Sequence, residues 1–455
     1  METSVASTLQ RNPIIKVTGD NLDIYVRTGH KSLERSNQDI HLFASNIIFS
    51  RIVKPGLYSM VKPLCDLQSL TPELFFPSEQ DRESLRRSYC VMLARILMGL
   101  PTYKWMRSVV PSHIYHPYQR QMSQRSEVFQ LPIQMKNESK HEDCVDILDG
   151  YEDILTGIYN KAFGSDELFQ KFKVVVGGDQ LTRVRLEEAK LLRALATSPK
   201  RRFDDLQPFV VELWHVKQDF LEVHDYTVYN YSCNLCHWFL HLIHMEDVVR
   251  EGDVIRLIPT LKYSLQFFFS HSRLSKYFVE CLDFILKTEY LLSQMQRMRV
   301  LEGAFVNLRG GLGQNIECDL VKENSVRNQK DLIRALGANK TNKAIYRSTK
   351  AADTVADICS KVDESVSVKK QSTRHQIPKS VKDEVVIHQS LRALRPFFKE
   401  TDRNCQGMLK VAASPLMKID TKDFKYRIHQ VVSRLFYGQN TRTRDVSDDE
   451  YDDDD

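Results

Sequence analysis

The stretch KFKVVVGGDQLTRVRLEEAK, residues 171–190, ends a β-branched run (Val174, Val175, Val176) at two glycines and at once places a carboxylate, Asp179. Asp20, in VTGDNLDIYV, sits within or at the edge of another strand-like segment, and Asp23 follows three residues on. A third carboxylate on a helix completes a candidate set: Glu323 in ECDLVKEN, with Glu317 and Asp319 close by. Hard divalent cations take oxygen ligands, and Mg²⁺ is usually held by a few carboxylates plus waters and substrate phosphates. Two such ions about 4 Å apart stabilise the attacking and leaving oxygens of an in-line phosphoryl displacement. Carboxylates on adjacent strands can meet although 159 residues separate Asp20 from Asp179. A blander role competes. An aspartate after a Gly-Gly turn is also an ordinary helix N-cap, and Glu323 can equally be a solvent-facing helix residue. Spacing alone does not make an enzyme.

The elements that must position these residues follow from periodicity. Residues 14–53 alternate apolar and polar side chains on either side of a polar turn, which predicts an antiparallel strand pair. RESLRRSYCVMLARILMGL predicts a helix closed by Pro101, EVFQLPIQM (127–135) a further strand, and 142–163 a helix with an apolar stripe. The strand ending at Asp179 leads into a helix running to about Thr197, and LQPFVVELWHV reads as another buried strand. From about 216 to 302 the pattern is helical and rich in aromatic residues. NLRGGLGQNIE interrupts it as a turn, and helices resume at DLVKENSVRNQKDLIRALG and STKAADTVADICSKVDESV. Early strands, an isolated acid-ended strand and then helices describe an α/β plan with an inserted all-helical domain.

At 455 residues the chain has enough length for two or three domains' worth of core, and 42% hydrophobic with 27% charged residues is ordinary globular composition. No uninterrupted apolar run approaches the roughly 20 residues that span a bilayer, so no membrane partner is expected. The N-terminus lacks a basic region followed by an apolar one, so no secretory signal is expected. Nine scattered cysteines do not form a disulfide framework; a reducing compartment, nuclear or cytoplasmic, is expected. Charge is segregated. The last eleven residues, DVSDDEYDDDD, hold eight acids; without them 64 basic side chains face 51 acidic ones, about +13 against +5 for the whole chain. A basic body attracts polyanions, DNA among them, and an acidic tail can compete for the same surface or merely aid solubility.

GDNLDIYVRTGHKSLERSNQDIHLF, VVVGGDQLTRVRLEEAKLLR, VVELWHVKQDFL and DLVKENSVRNQKDLIRALGANKT together resemble a family of uncharacterised, transposon-derived eukaryotic proteins. GDQLT is the most specific element, and the likeness runs over roughly residues 14–400. The order of blocks is similar in plan to the hAT transposases. The resemblance implies an RNase H-like core, a mixed sheet flanked by helices, with a large all-α insertion before the last acidic residue. It divides the chain into core (14–216), helical insertion (217–305), the rest of the core with the acidic helix (306–365), a basic polar segment with short helices (366–444) and a disordered acidic tail (445–455). It maps catalytic, metal-binding carboxylates onto Asp20, Asp179 and Glu323, with Asp23 and Asp319 as alternates, and Mg²⁺ or Mn²⁺ as cofactor. His215, after VVELW, would contact substrate or order the insertion. In one respect the chain departs from such transposases. Its first core strand begins near residue 14, leaving no room for the usual N-terminal DNA-binding module, so a truncated or domesticated copy is expected. The implied activity is metal-dependent polynucleotidyl transfer or nucleolysis on DNA. The alternatives are a catalytically inactive nucleic-acid- or protein-binding module of the same fold, and a helical interaction protein. An oligomer is compatible with each.

Weaker signals remain. Cys233, Cys236, His237, His241 and His244 fall close to one helix face, but a structural zinc site needs a turn to wrap four ligands around the ion, so packing is expected and zinc is not. RGGLGQ lacks the spacing of a nucleotide-binding loop. Lys200, Arg201 and Arg202 in the basic loop SPKRRFDD, and the basic stretch 369–382, offer contacts for phosphates.

Overall fold

The computed structural model describes residues 2–26, 37–53, 70–214, 228–270, 275–337, 340–366, 381–395 and 419–437. Alternation makes Ile15–Val26 (β1) and Gln38–Phe49 (β2) an antiparallel pair in continuous register, Ile15 opposite Phe49 and Val26 opposite Gln38. Val128–Gln130 (β3) adds antiparallel to β2. Val174–Gly178 (β4) lies parallel to β1, and Leu206–Val211 (β5) parallel to β4. The sheet order is β3-β2-β1-β4-β5. Side chains alternate across a strand, so Val174 and Val176 enter one core while Val175 enters another.

The first face is covered by three helices: Glu2–Arg11 (α1), His141–Phe163 (α3) and Gln180–Leu192 (α4). Val5 and Leu9 of α1, Leu148, Tyr151 and Leu155 of α3, and Leu186 of α4 pack on Ile15, Val17, Val174 and Val176. The second face carries the helical block: Val228–Glu251 (α5), Val254–Ser270 (α6), Ser275–Leu286 (α7) and Gln294–Gly303 (α8). Glu79–Leu97 (α2) packs against α5 and α6. A short ladder of Phe305–Val306 with Ile316–Glu317 then delivers the chain to Cys318–Ala335 (α9), which packs along β1.

Most expected elements are present, with four differences. The helix after Asp179 stops at Leu192, because i to i+3 turns (Ala194 to Leu191, Ala196 to Arg193) tighten the chain beyond it. The described residues of the helical insertion share a core with other parts of the chain. Its apolar side chains pack with Ile52, Phe75, Met122 and the sheet residues Val175, Val210 and Val211, because α6 and α7 are buried around much of their circumference. Thr421–Tyr437 (α10) belongs to that core through Phe424, Ile428 and Val431, rather than to a polar appendage. Helix α1 precedes the expected start of the core; the apolar spacing Val5, Ala6, Leu9 is its only sequence signal. Residues 445–455 and most of the basic stretch 369–382 lie outside the described residues.

Buried charge joins the layers. Lys16 Nζ lies 2.6 Å from Glu212 Oε1 and donates to the Gly303 carbonyl at 2.9 Å, tying β1 to the end of β5 and to α8. Arg183 of α4 donates two 2.6 Å hydrogen bonds to the two oxygens of Glu280 on α7, with both side chains buried. Removing one partner of such a pair strands a charge and costs about 3–5 kcal/mol. Arg183→Ala should therefore lower unfolding stability by that order in urea, far more than Arg87→Ala at an exposed i, i+4 pair.

Glu302, fully enclosed, accepts hydrogen bonds from Ser50 Oγ and from the Arg51 and Ile52 amides, the latter two at 3.0 and 2.7 Å. Burial pushes its carboxyl up to about 7, against the opposing pull of these donors and of Arg51. Above its ordinary pKa of 4.5 the unfolded chain has lost this proton while the folded chain keeps it up to about 7. The folded state thus binds more protons, and this contribution to stability falls as pH rises through that window. Glu302→Gln should flatten the decline, read as the difference in urea midpoint between pH 5 and pH 8.

Candidate functional site

The parallel pairing of β1 and β4 runs Lys16 opposite Val175, Val17 opposite Val176 and Thr18 opposite Gly177. Two residues further along each strand stand Asp20 and Asp179. Gly19 points toward the α3 face, where an added Cβ would meet Phe43 and Tyr151. Asp20 therefore points to the opposite face, with Leu22 and Ile24 next along it. There Leu22 and Ile24 share a core with Val326 and Ile333 of α9. One turn before Val326 on α9 come Lys322 and Glu323.

The glycines of VVVGGD have local reasons. A Cβ on Gly177 would lie 1.8 Å from Glu212 Oε1 and 2.8 Å from Lys16 Cε, so the buried ion pair excludes any side chain there. A Cβ on Gly178 would meet Thr182 Cγ2 at 2.7 Å. Thr182 is held close because its amide donates to Asp179 Oδ1 at 2.6 Å, which makes Asp179 the N-cap of α4. Capping is thus present, and it uses one carboxylate oxygen.

Electrostatics show what gathers here. Burial pushes the Asp20 carboxyl up to about 8; Glu323 adds to that rise, Lys322 opposes it, and Asp179 and Glu138 add smaller increments. Burial pushes the Lys322 ammonium down to about 7, with Asp20 and Glu323 as the leading opposing charges. Lys322 is only 1% exposed, and its Nζ has no hydrogen-bond partner among the described residues. Glu138 is raised by burial, while its oxygens accept from Thr182 Oγ1 at 2.8 Å and Arg185 Nη1 at 3.1 Å. Among the described residues no three Asp, Glu, His or Cys side chains enclose a metal position as they stand. The donor set is nevertheless all oxygen and dominated by carboxylates, which suits Mg²⁺ or Mn²⁺ bound through one or two protein ligands with water and phosphate completing the sphere.

Of the residues expected from sequence, Glu323 and Asp179 lie near enough to Asp20 for their charges to raise its carboxyl, without the three enclosing a metal position, and the other described ones lie elsewhere. Asp23 alternates to the other face of β1 and pairs with His41 Nδ1 at 2.8 Å, both half-exposed. Asp319, in the first turn of α9, accepts from the Trp214 amide at 3.1 and 2.8 Å and so anchors the chain leaving β5. Lys200, Arg201 and Arg202 form a turn before β5, at the end of the parallel strands remote from Asp179. The reason is topological: α4 must carry the chain back to where a parallel strand begins. Lys200 pairs there with Asp153 at 2.8 Å, and Arg202 with Asp204 at 2.7 Å. His215 lies outside the described residues. His237, His241 and His244 bond Tyr263, Tyr89, Ser264 and Thr260 in helix packing.

Sequence reasoning missed Lys322 and Glu138. Lys322 had a usable signal, since it lies on the same buried stripe of α9 as Val326 and Ile333. Glu138, in the polar loop KNESKHED, had none.

A model described as a family of unknown function (DUF6589) matches residues 67–224 and 224–375, more than half of the chain. The chain belongs to this family. No curated protein and no solved structure matches it. The DUF6589 match includes Asp179, Lys322 and Glu323, whereas Asp20 lies before it. None of the described helices is long and apolar enough to cross a membrane.

The two aspartates should separate in stability measurements on the metal-free protein. Asp179→Ala loses the cap and should cost about 1 kcal/mol, with Asp179→Asn nearly neutral. Asp20→Asn removes a crowded, buried carboxyl and should raise the urea midpoint, by about 1 kcal/mol or more in stability at pH 8.

Proposed function

We propose that this DUF6589 chain is a transposase-derived, divalent-metal-dependent polynucleotidyl transferase or nuclease acting on DNA, built on an RNase H-like core similar in plan to the hAT transposases. The observation that carries the reading is that the parallel register sets Asp20, midway along β1, beside Asp179, which follows the end of β4, with Glu323 of α9 and Asp179 among the charges that raise the Asp20 carboxyl. A mixed sheet with helices on both faces, and a helical block between β5 and the acidic helix, supports the fold part of the proposal.

Asp20, Asp179 and Glu323 would hold Mg²⁺ or Mn²⁺. When bound, such an ion stabilises charge on phosphoryl oxygens and lowers the pKa of water. The chain's own residues supply the rest. Asp179 is fixed in place by the first turn of α4, and Asp20 by the β1–β4 ladder. Packing of Val326 and Ile333 under β1 sets the position of Glu323. Outside the acidic tail, the body's charge of about +13 would hold a phosphate backbone, making binding strongly salt-dependent. A nuclear or cytoplasmic setting goes with this reading.

A second reading, a catalytically silent DNA- or protein-binding module of the same fold, is favoured by one observation. Asp179 is already engaged as a cap, and no three-ligand group is formed among the described residues. A nicking assay on supercoiled DNA with Mg²⁺ or Mn²⁺ decides between them. The wild-type chain should nick, and Asp20→Asn and Asp179→Ala should each lose about 100-fold or more. Equal rates for wild type and Asp179→Ala would refute the catalytic assignment.

A further inference from the structure

A cavity of about 590 Å³ lies at the end of the parallel strands remote from Asp179, bounded by the start of β5, by α4 and by the turn Lys287–Leu291 before α8. Small-molecule sites span roughly 300–1,000 Å³. The lining carries four ammonium groups, Lys171, Lys173, Lys190 and Lys287, against one carboxylate, Glu187. Glu187 is already committed to Arg183 at 2.5 Å and to Lys287 at 3.1 Å, and Asp283 also holds Lys287 at 2.7 Å. Lys171, Lys173 and Lys190 make no ion pair among the described residues. Lys173 donates instead to the Asp204 carbonyl at 3.1 Å, and Lys190 to the Phe203 and Leu206 carbonyls at 2.7 and 3.0 Å. Those bonds fix the nitrogens without neutralising them. The acids beyond the lining that act on these lysines are Asp204, taken up by Arg202 at 2.7 Å, with Asp205 and Glu152. Two backbone irregularities shape the wall. Lys173 takes φ 54°, a region that favours glycine, and Arg299 holds it there by donating to the Phe172 and Lys173 carbonyls. Lys287–Leu291 is a π turn, a rare form that recurs at functional sites.

We infer that this cavity binds a small di- or triphosphate joined to an apolar body, a ligand of the nucleotide class. Three ammoniums without carboxylate partners match the several negative charges of a phosphate chain, and charge-assisted hydrogen bonds to such oxygens are the strong ones. The volume exceeds what a bare phosphate fills. Leu191, Leu291 and Met295 line the rest with apolar surface, and Leu191, 69% exposed, stands open to a ligand. The side-chain amides of Gln207 and Gln296, also in the lining, can each donate to and accept from a polar ring edge. Because the cavity is remote from Asp179, the inference does not rest on the metal-dependent reading above.

The test is isothermal titration calorimetry of ATP into the full-length protein in EDTA, so that no divalent ion takes part. Wild type should bind one ATP per chain, about ten-fold or more tighter than tripolyphosphate. Lys171→Gln alters an exposed side chain, and Lys173→Gly suits the positive φ, so both variants should fold, which circular dichroism checks. Each should weaken ATP by about ten-fold or more. Arg86→Gln, at an exposed position on α2, should leave the affinity unchanged. Absence of saturable ATP binding, or unchanged affinity in both lysine variants, would overturn the site. Equal affinities for tripolyphosphate and ATP would overturn the ligand class. A DNA duplex that displaces ATP with the same lysine dependence would also overturn it, in favour of a backbone contact.

Discussion

The parallel pairing of β1 with β4 is the constraint on which the rest of this structure depends. Its register, Thr18 opposite Gly177, brings a residue from the first twentieth of the chain beside one from its middle. Every later element is placed relative to that pair. Helix α4 starts at Asp179 and caps itself there, β5 extends the sheet from β4, and α9 packs along β1. The ladder is short, and a buried ion pair reinforces it from below. Lys16 reaches past Gly177 to Glu212, an arrangement that tolerates no side chain at that glycine. The GG of VVVGGD is thus a packing requirement of the ion pair and of Thr182, not a phosphate-binding loop.

Charge is distributed in two distinct ways across the interior. Lys16 with Glu212 and Arg183 with Glu280 are one-to-one pairs of opposite charge, and they join different layers of the fold. The cluster around Asp20 is unmatched. Several carboxylates face one ammonium, and burial with like-charge crowding holds Asp20 near a pKa of 8. Matched buried charge serves architecture. Unmatched buried charge costs stability and is the usual mark of a site awaiting an ion or a substrate.

How much of this could be read in advance depended on whether a feature was local. Strand alternation in 15–49, the stripe of 141–163 and the acid-ended β4 are properties of neighbouring residues, and each element formed where periodicity placed it. Asp20, Asp179 and Glu323 could be singled out because each lies on or beside an element that periodicity makes recognisable: a strand, a strand end and a helix. The location of Lys200 to Arg202 was not legible, because basic charge in a loop carries no information about which end of a sheet the loop occupies. The packing partners of the helical block were not legible for a similar reason. Aromatic-rich helices announce that they are buried but not against what, and here the partner includes the sheet and a helix 118 residues beyond Gly303.

By itself the sequence determined the types of the elements, their order and the carboxylates worth watching, because periodicity, glycine placement and capping act over a few residues. Tertiary structure alone decided three things. It chose Asp20 over Asp23, since the pleat turns one toward α9 and the other toward solvent. It gave Asp319 to the Trp214 amide, leaving Glu323 for the cluster. And it buried Lys322 where α9 packs along β1. Those outcomes depend on which faces of distant segments meet, and only the assembled sheet specifies that.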